Sequence, residues 1–156
     1  MGGNSTYSVD LRKVPLDKRS HTDTNMRIGG HKVLLQERNM KQNKNILYSN
    51  SDSPIYLIAK IDDEGIVQVS TLNVFENHEI TLEINLEFDA KGDFIPYSDS
   101  KAKMKSSHSH LWYKNSKGEF GRKRHDKGNM FDIPSEYKDL IDQIVEFNKK
   151  KNIWKK

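Results

Sequence analysis

The stretch Lys105–His125, KSSHSHLWYKNSKGEFGRKRH, gathers residues that could move protons, hold phosphate and stack on flat rings. It carries His108, His110 and His125, three of the six histidines, with Trp112-Tyr113 and the run Arg122-Lys123-Arg124. Imidazole is the side chain whose ordinary titration lies near neutral pH, which suits acid and base roles. Arg and Lys suit the charge of phosphate, and aromatic faces suit bases.

Read as a strand, Ser107–Tyr113 puts His108, His110 and Trp112 on one face and Ser109, Leu111 and Tyr113 on the other, because side chains alternate. Asn115-Ser116-Lys117-Gly118 supplies a turn, and Phe120–His125 pairs back. Two histidines one residue apart then lie about 6–7 Å apart along the strand.

Three functional readings compete. In a ribonuclease site, His108, His110 and His125 divide the acid–base work on a 2′-hydroxyl and a leaving oxygen. Arg122, Lys123 and Arg124 clamp the phosphate, and Trp112 or Tyr113 stacks on a base. In a binding surface, the same cations and rings hold nucleic acid or an acidic partner, and the histidines are incidental. In a metal site, His108 and His110 are ligands with His125 or Asp126 as a third. The surrounding positive charge opposes that last reading, so no metal and no cofactor are assigned. His21, His31 and His78 are isolated and receive no role.

The elements around this segment must come from a modest core. The 156 residues are 34% hydrophobic and 31% charged, so one domain is expected. No apolar run approaches the roughly 20 residues that a membrane-spanning helix needs, and no charged-then-apolar leader pattern stands at the start. Cysteine is absent, which excludes disulfides and thiolate metal sites and accords with a reducing, cytoplasmic setting. Charge is segmental. Residues 52–99 carry 2 basic and 11 acidic side chains; residues 101–127 carry 9 basic and 2 acidic ones. A basic stretch of this kind is expected of a nucleic-acid binder, or it neutralises the acidic stretch within the fold.

Residues 1–30 are polar and weakly periodic, and are expected to form a flexible or loosely docked arm before a single α+β domain over 31–156. Short myristoylation and glycosylation patterns near Gly2 and Asn4 are of the kind that arise by chance. His31–Met40 reads either as a short helix or as a strand. Ile55–Ile61 is a near-continuous apolar run, suited to a strand covered on both faces, and Ile66–Leu72 returns from a turn at Asp62–Gly65. Ile80–Phe88 alternates cleanly: Ile80, Leu82, Ile84, Leu86 and Phe88 inward, with Glu83 and Glu87 expected on the solvent side rather than as paired catalytic carboxylates. Ala90–Asp93 turns the chain, and Phe94–Tyr97 is a short edge because Pro96 excludes a central place. From Pro134 onward, Tyr137, Leu140, Ile141, Ile144 and Val145 recur at helical spacing, giving a C-terminal helix packed on an antiparallel sheet.

With HSHLWYK (His108–Lys114), GRKRH (Gly121–His125) and PSEYKDLIDQIVEF (Pro134–Phe147) in this order, the chain resembles the barnase/EndoU/colicin/RelE-type ribonucleases, which occur as toxin domains in bacterial and phage genomes. The resemblance covers roughly Ile55–Lys151. It implies metal-independent RNA cleavage at these His and basic side chains. RNA or another nucleic acid is the expected partner, with a protein partner or inhibitor as a further one and no membrane. The division of roles among the histidines stays open. The alternative is a non-enzymatic phage or mobile-element accessory protein that binds a protein or nucleic acid through the same basic surface.

Overall fold

The computed structural model describes residues 21–36, 46, 54–98, 106–114, 116–118, 120–122 and 130–154. Seven strands lie side by side in sequence order: β1 (His21–Ile28), β2 (His31–Gln36), β3 (Ile55–Ile61), β4 (Val67–Glu76), β5 (Glu79–Asn85), β6 (His108–Lys114) and β7 (Phe120–Arg122). All neighbours are antiparallel except β2 and β3. A 3-10 turn at Ser135–Tyr137 leads into α1 (Lys138–Lys149). This is the α+β architecture expected: a mostly antiparallel sheet closed by a C-terminal helix. Among the described residues no helix is long and apolar enough to cross a membrane.

In the N-terminal region one open reading is settled and one expectation is corrected. His31–Gln36 is a strand and not a helix, since Val33, Leu34 and Leu35 are all buried and serve both faces of the sheet. His21–Ile28, expected within the loose arm, is strand β1. Gly29-Gly30 makes this pairing possible. Both have positive φ, +58° and +83°, and close a two-residue hairpin turn between Ile28 and His31. Residues 1–20 lie outside the described residues.

The sheet is covered on both faces. On one, α1 buries Leu140, Ile141 and Ile144 against Val33, Leu57, Val69, Leu72 and Ile84. On the other, Leu34, Ile46, Tyr56, Ile58, Phe75 and Ile80 form a second core beside Trp112. The central strand β3 feeds the two cores alternately, which is why its sequence is apolar without a break. A bulge refines the alternation expected for Ile80–Phe88. Val74 pairs with Leu82 while Phe75 pairs with Ile80, so Thr81 is supernumerary. Ile80 thereby moves to the second core, and Leu82 and Ile84 stay under α1.

Past Leu86, whose N–H donates to the Ser70 carbonyl at 2.9 Å, the chain leaves the edge of β4, and the C-terminal segment takes its place. The Asn148 side chain accepts from the Val69 N–H at 2.9 Å and donates to the Val69 carbonyl at 3.0 Å. The Val67 N–H donates to the Asn152 carbonyl at 2.9 Å, and Ile66 bridges to Ile153. Asn148→Ala leaves both Val69 groups without these bonds and is expected to cost about 1–3 kcal/mol. Urea unfolding measures this; a midpoint equal to that of the wild type would show that water replaces the amide.

Candidate functional site

Strand β6 is gripped along its whole length. On one side Asn85, Ile84, Glu83 and Leu82 pair with His108, Ser109, His110 and Leu111. On the other, Ser109 exchanges backbone hydrogen bonds of 2.8 and 3.0 Å with Phe131, and Trp112–Lys114 pair with β7. Alternation then separates two sets of side chains, and the chemistry of each differs.

The inner set is His108, His110 and Trp112, the face assignment expected from the sequence. The imidazole centroids are 4.7 Å apart with planes at 82°, an edge-to-face pair. His108 Nδ1 lies 2.8 Å from the Ser106 carbonyl. A carbonyl only accepts, so Nδ1 carries a proton. Both residues are deeply buried, with 5% and 0% of their surface exposed.

Glu83 is the residue that sequence reasoning misplaced. It was expected on the solvent side, yet only 3% of it is exposed. It sits directly opposite His110 and accepts the Trp112 indole N–H at 3.0 Å. The physical reason is the second core: once both faces of a sheet are covered, the polar half of an alternating strand is buried too. Two polar rows result. One runs Tyr56, Asn73, Glu83, His110 across β3 to β6; the other runs Thr71, Asn85, His108 across β4 to β6. Thr71 reaches Asn85 at 3.4 Å. Asn73 is wholly buried, and neither its amide oxygen nor its nitrogen has a hydrogen-bond partner among the described residues. Glu87, expected beside Glu83, is half-buried, and its N–H donates to Ser107 Oγ at 2.9 Å.

The outer set is Ser109, itself buried, with Leu111 and Tyr113, on the same sheet face as Ile84 and Leu82. Leu111 is 54% exposed and Tyr113 51%. Tyr113 pairs with Gly121, and its ring lies on that residue: a Cβ at 121 would stand 3.2 Å from the phenol oxygen and 3.4 Å from Cζ. A side chain at 121 would press on the far end of the Tyr113 ring. About half of the Tyr113 surface stays exposed beside Gly121.

The functional readings draw on His108, His110, Trp112 and Tyr113 together, although alternation already divides Tyr113 from the other three. The structure joins the first three with Glu83 and puts Tyr113 on the opposite face. The backbone of Arg122 pairs with Trp112. Lys123, Arg124, His125 and Asp126 lie outside the described residues. Among the described residues no group of three or more His, Asp or Glu is placed to hold a metal ion. The chain matches no protein-family model, no curated protein and no solved structure.

Proposed function

We propose that the chain is an RNA-binding domain that works through the outer face of its β6–β7 hairpin. The observation that carries this reading is the Tyr113 ring, half exposed and backed by Gly121, in the most basic stretch of the chain. An aromatic face of this kind stacks on any base, and nearby cations hold the backbone through a salt-sensitive attraction. The buried state of His108 and His110 favours binding over chemistry, because a proton-transfer group must come within hydrogen-bond reach of its substrate.

Fluorescence anisotropy with a labelled single-stranded RNA tests it. Binding is expected to weaken steeply between 50 and 200 mM salt, the range over which phosphate contacts of this kind lose affinity. Tyr113→Ala is expected to cost about 1–3 kcal/mol of binding, and Tyr113→Phe little. Absence of binding by the wild type at low salt would defeat the reading.

Metal-independent cleavage is the second reading, favoured by the edge-to-face His108–His110 pair beside Glu83. Total RNA incubated with EDTA, beside a His108→Ala/His110→Ala variant shown to be folded, distinguishes the two. Intact RNA supports binding alone. Cleavage that survives EDTA and vanishes in the variant assigns catalysis.

A further inference from the structure

The outer face of β6 does not end at the hairpin. The antiparallel bridge between Ser109 and Phe131 fixes residue 131 beside the strand, and Ser109 Oγ reinforces it on the carbonyls of Phe131 and Asp132 at 3.3 and 3.0 Å. Directly paired residues share a face, so Phe131 joins Ser109, Leu111 and Tyr113. Phe131 is 42% exposed. Three of the four large hydrophobic side chains exposed among the described residues therefore lie in one row, Tyr113–Leu111–Phe131. Isolated exposed apolar groups need no explanation; a row on one rigid sheet face does.

The spacing of the row points to its occupant. Ser109 to Tyr113 is four residues, about 13 Å along the strand, and Phe131 is offset by one inter-strand step of about 4.8 Å. The ends of the row are thus about 14 Å apart. A stacked nucleic-acid strand rises 3.4 Å per nucleotide, and one drawn out to about twice that covers the distance in two steps. The sequence charge of residues 101–127, 9 basic against 2 acidic, favours a polyanion as the occupant. Asp132, the acidic neighbour of Phe131, has a carboxylate oxygen on the Ile133 N–H at 2.7 Å.

We infer that Phe131 and Leu111 extend the Tyr113 site into a three-nucleotide platform for an unpaired strand, with bases on Tyr113 and Phe131 and the intervening nucleotide over Leu111. This rests on the RNA-binding reading. A duplex is excluded because its base faces are already stacked on one another.

Anisotropy with labelled oligouridines of two, three and six nucleotides, and with a duplex, tests it. The wild type is expected to gain affinity sharply from two to three nucleotides and to bind the duplex more weakly than the hexamer. Phe131→Ala is expected to lose roughly tenfold for the hexamer, the scale of one stacked base, with no change for the dinucleotide. Phe131→Trp is expected to restore the loss and Phe131→Leu not to, which separates stacking from packing. Circular dichroism checks that each variant is folded. If Tyr113→Ala weakens binding while Phe131→Ala keeps the wild-type length dependence, the platform is overturned and the RNA-binding reading stands. If the wild type binds no single strand, both fall. Concentration-dependent self-association abolished by Leu111→Ala or Phe131→Ala, without RNA binding, would assign the row to a protein interface and overturn the inference.

Discussion

Glu83→Ala is expected to lower folding stability by about 2–4 kcal/mol, the largest loss foreseen for a single polar side chain in this domain. The variant strands the Trp112 indole N–H, which donates to Glu83 at 3.0 Å inside a covered face. It also removes the carboxylate opposite His110, which is fully buried. A donor left unsatisfied away from water bears its whole desolvation cost, which exceeds the net worth of the bond. Glu83→Gln keeps an acceptor for the indole and is expected to lose markedly less. Urea unfolding followed by far-ultraviolet circular dichroism gives both numbers. A Glu83→Ala midpoint within experimental error of the wild type would mean that the carboxylate has no part in holding β5 to β6. Because Glu83 faces away from Tyr113, RNA binding by the folded fraction is expected to be unchanged.

Asn73→Leu is expected to act in the opposite direction and to stabilise the fold by about 1–2 kcal/mol. Asn73 stands next to Glu83 in the same row, wholly buried, with both amide atoms lacking partners among the described residues. Burying an amide without hydrogen bonds costs about 1–3 kcal/mol, and leucine fills a similar volume without that cost. The surroundings can accept it, since Tyr56 and Phe75 lie on the same face. Thermal and urea unfolding of the single variant decide the sign. A loss of 1 kcal/mol or more would show that the amide holds an internal water or another polar group. Together the two substitutions test one statement: within a single buried polar row, the satisfied member stabilises and the unsatisfied member does not.

The difference between Glu83 and Asn73 also shows where sequence was readable. Leu140, Ile141 and Ile144 recur at helical spacing, and α1 follows from them. The unbroken IYLIAKI run identifies β3 as doubly covered, and the Asp62–Gly65 turn announces its hairpin with β4. His108, His110 and Trp112 share a face because alternation along a strand is local. Local pattern does not say which face is wet. Glu83 alternates as a solvent-facing residue would, and only the second core, assembled from β2, β3, β4 and β5, puts it inside. The warning lay in β3: a strand apolar on both sides implies that neighbouring polar positions such as Thr71, Asn73 and Glu83 are covered as well. The Thr81 bulge was likewise invisible, since a supernumerary residue leaves the alternating sequence intact while changing the face of Ile80. Tyr113 and Gly121 were both noted in the sequence, but their contact depends on the register of β6 with β7. His21–Ile28 looked like an arm because its polar residues dominate. Thr24 nonetheless donates to the Val33 carbonyl at 2.7 Å and the Asp23 carboxylate caps the Asn25 N–H, so side chains do part of the work of an apolar strand.

The closure of β4 by Asn148 and Asn152 has a consequence for how the chain is made. Val69 and its partner Asn148 are 79 residues apart. At translation rates of about 5–20 residues per second, roughly 4–16 s separate their synthesis. Throughout that interval the first half of β4 has unpaired N–H and C=O groups open to solvent or to other nascent chains, and an open strand edge is a template for wrong pairing. Slow codons between positions 86 and 148 would lengthen the exposure and raise the yield of aggregate without altering a single amino acid. Rapid decoding of that stretch, or a chaperone that covers β4 until the last helix emerges, would shorten it.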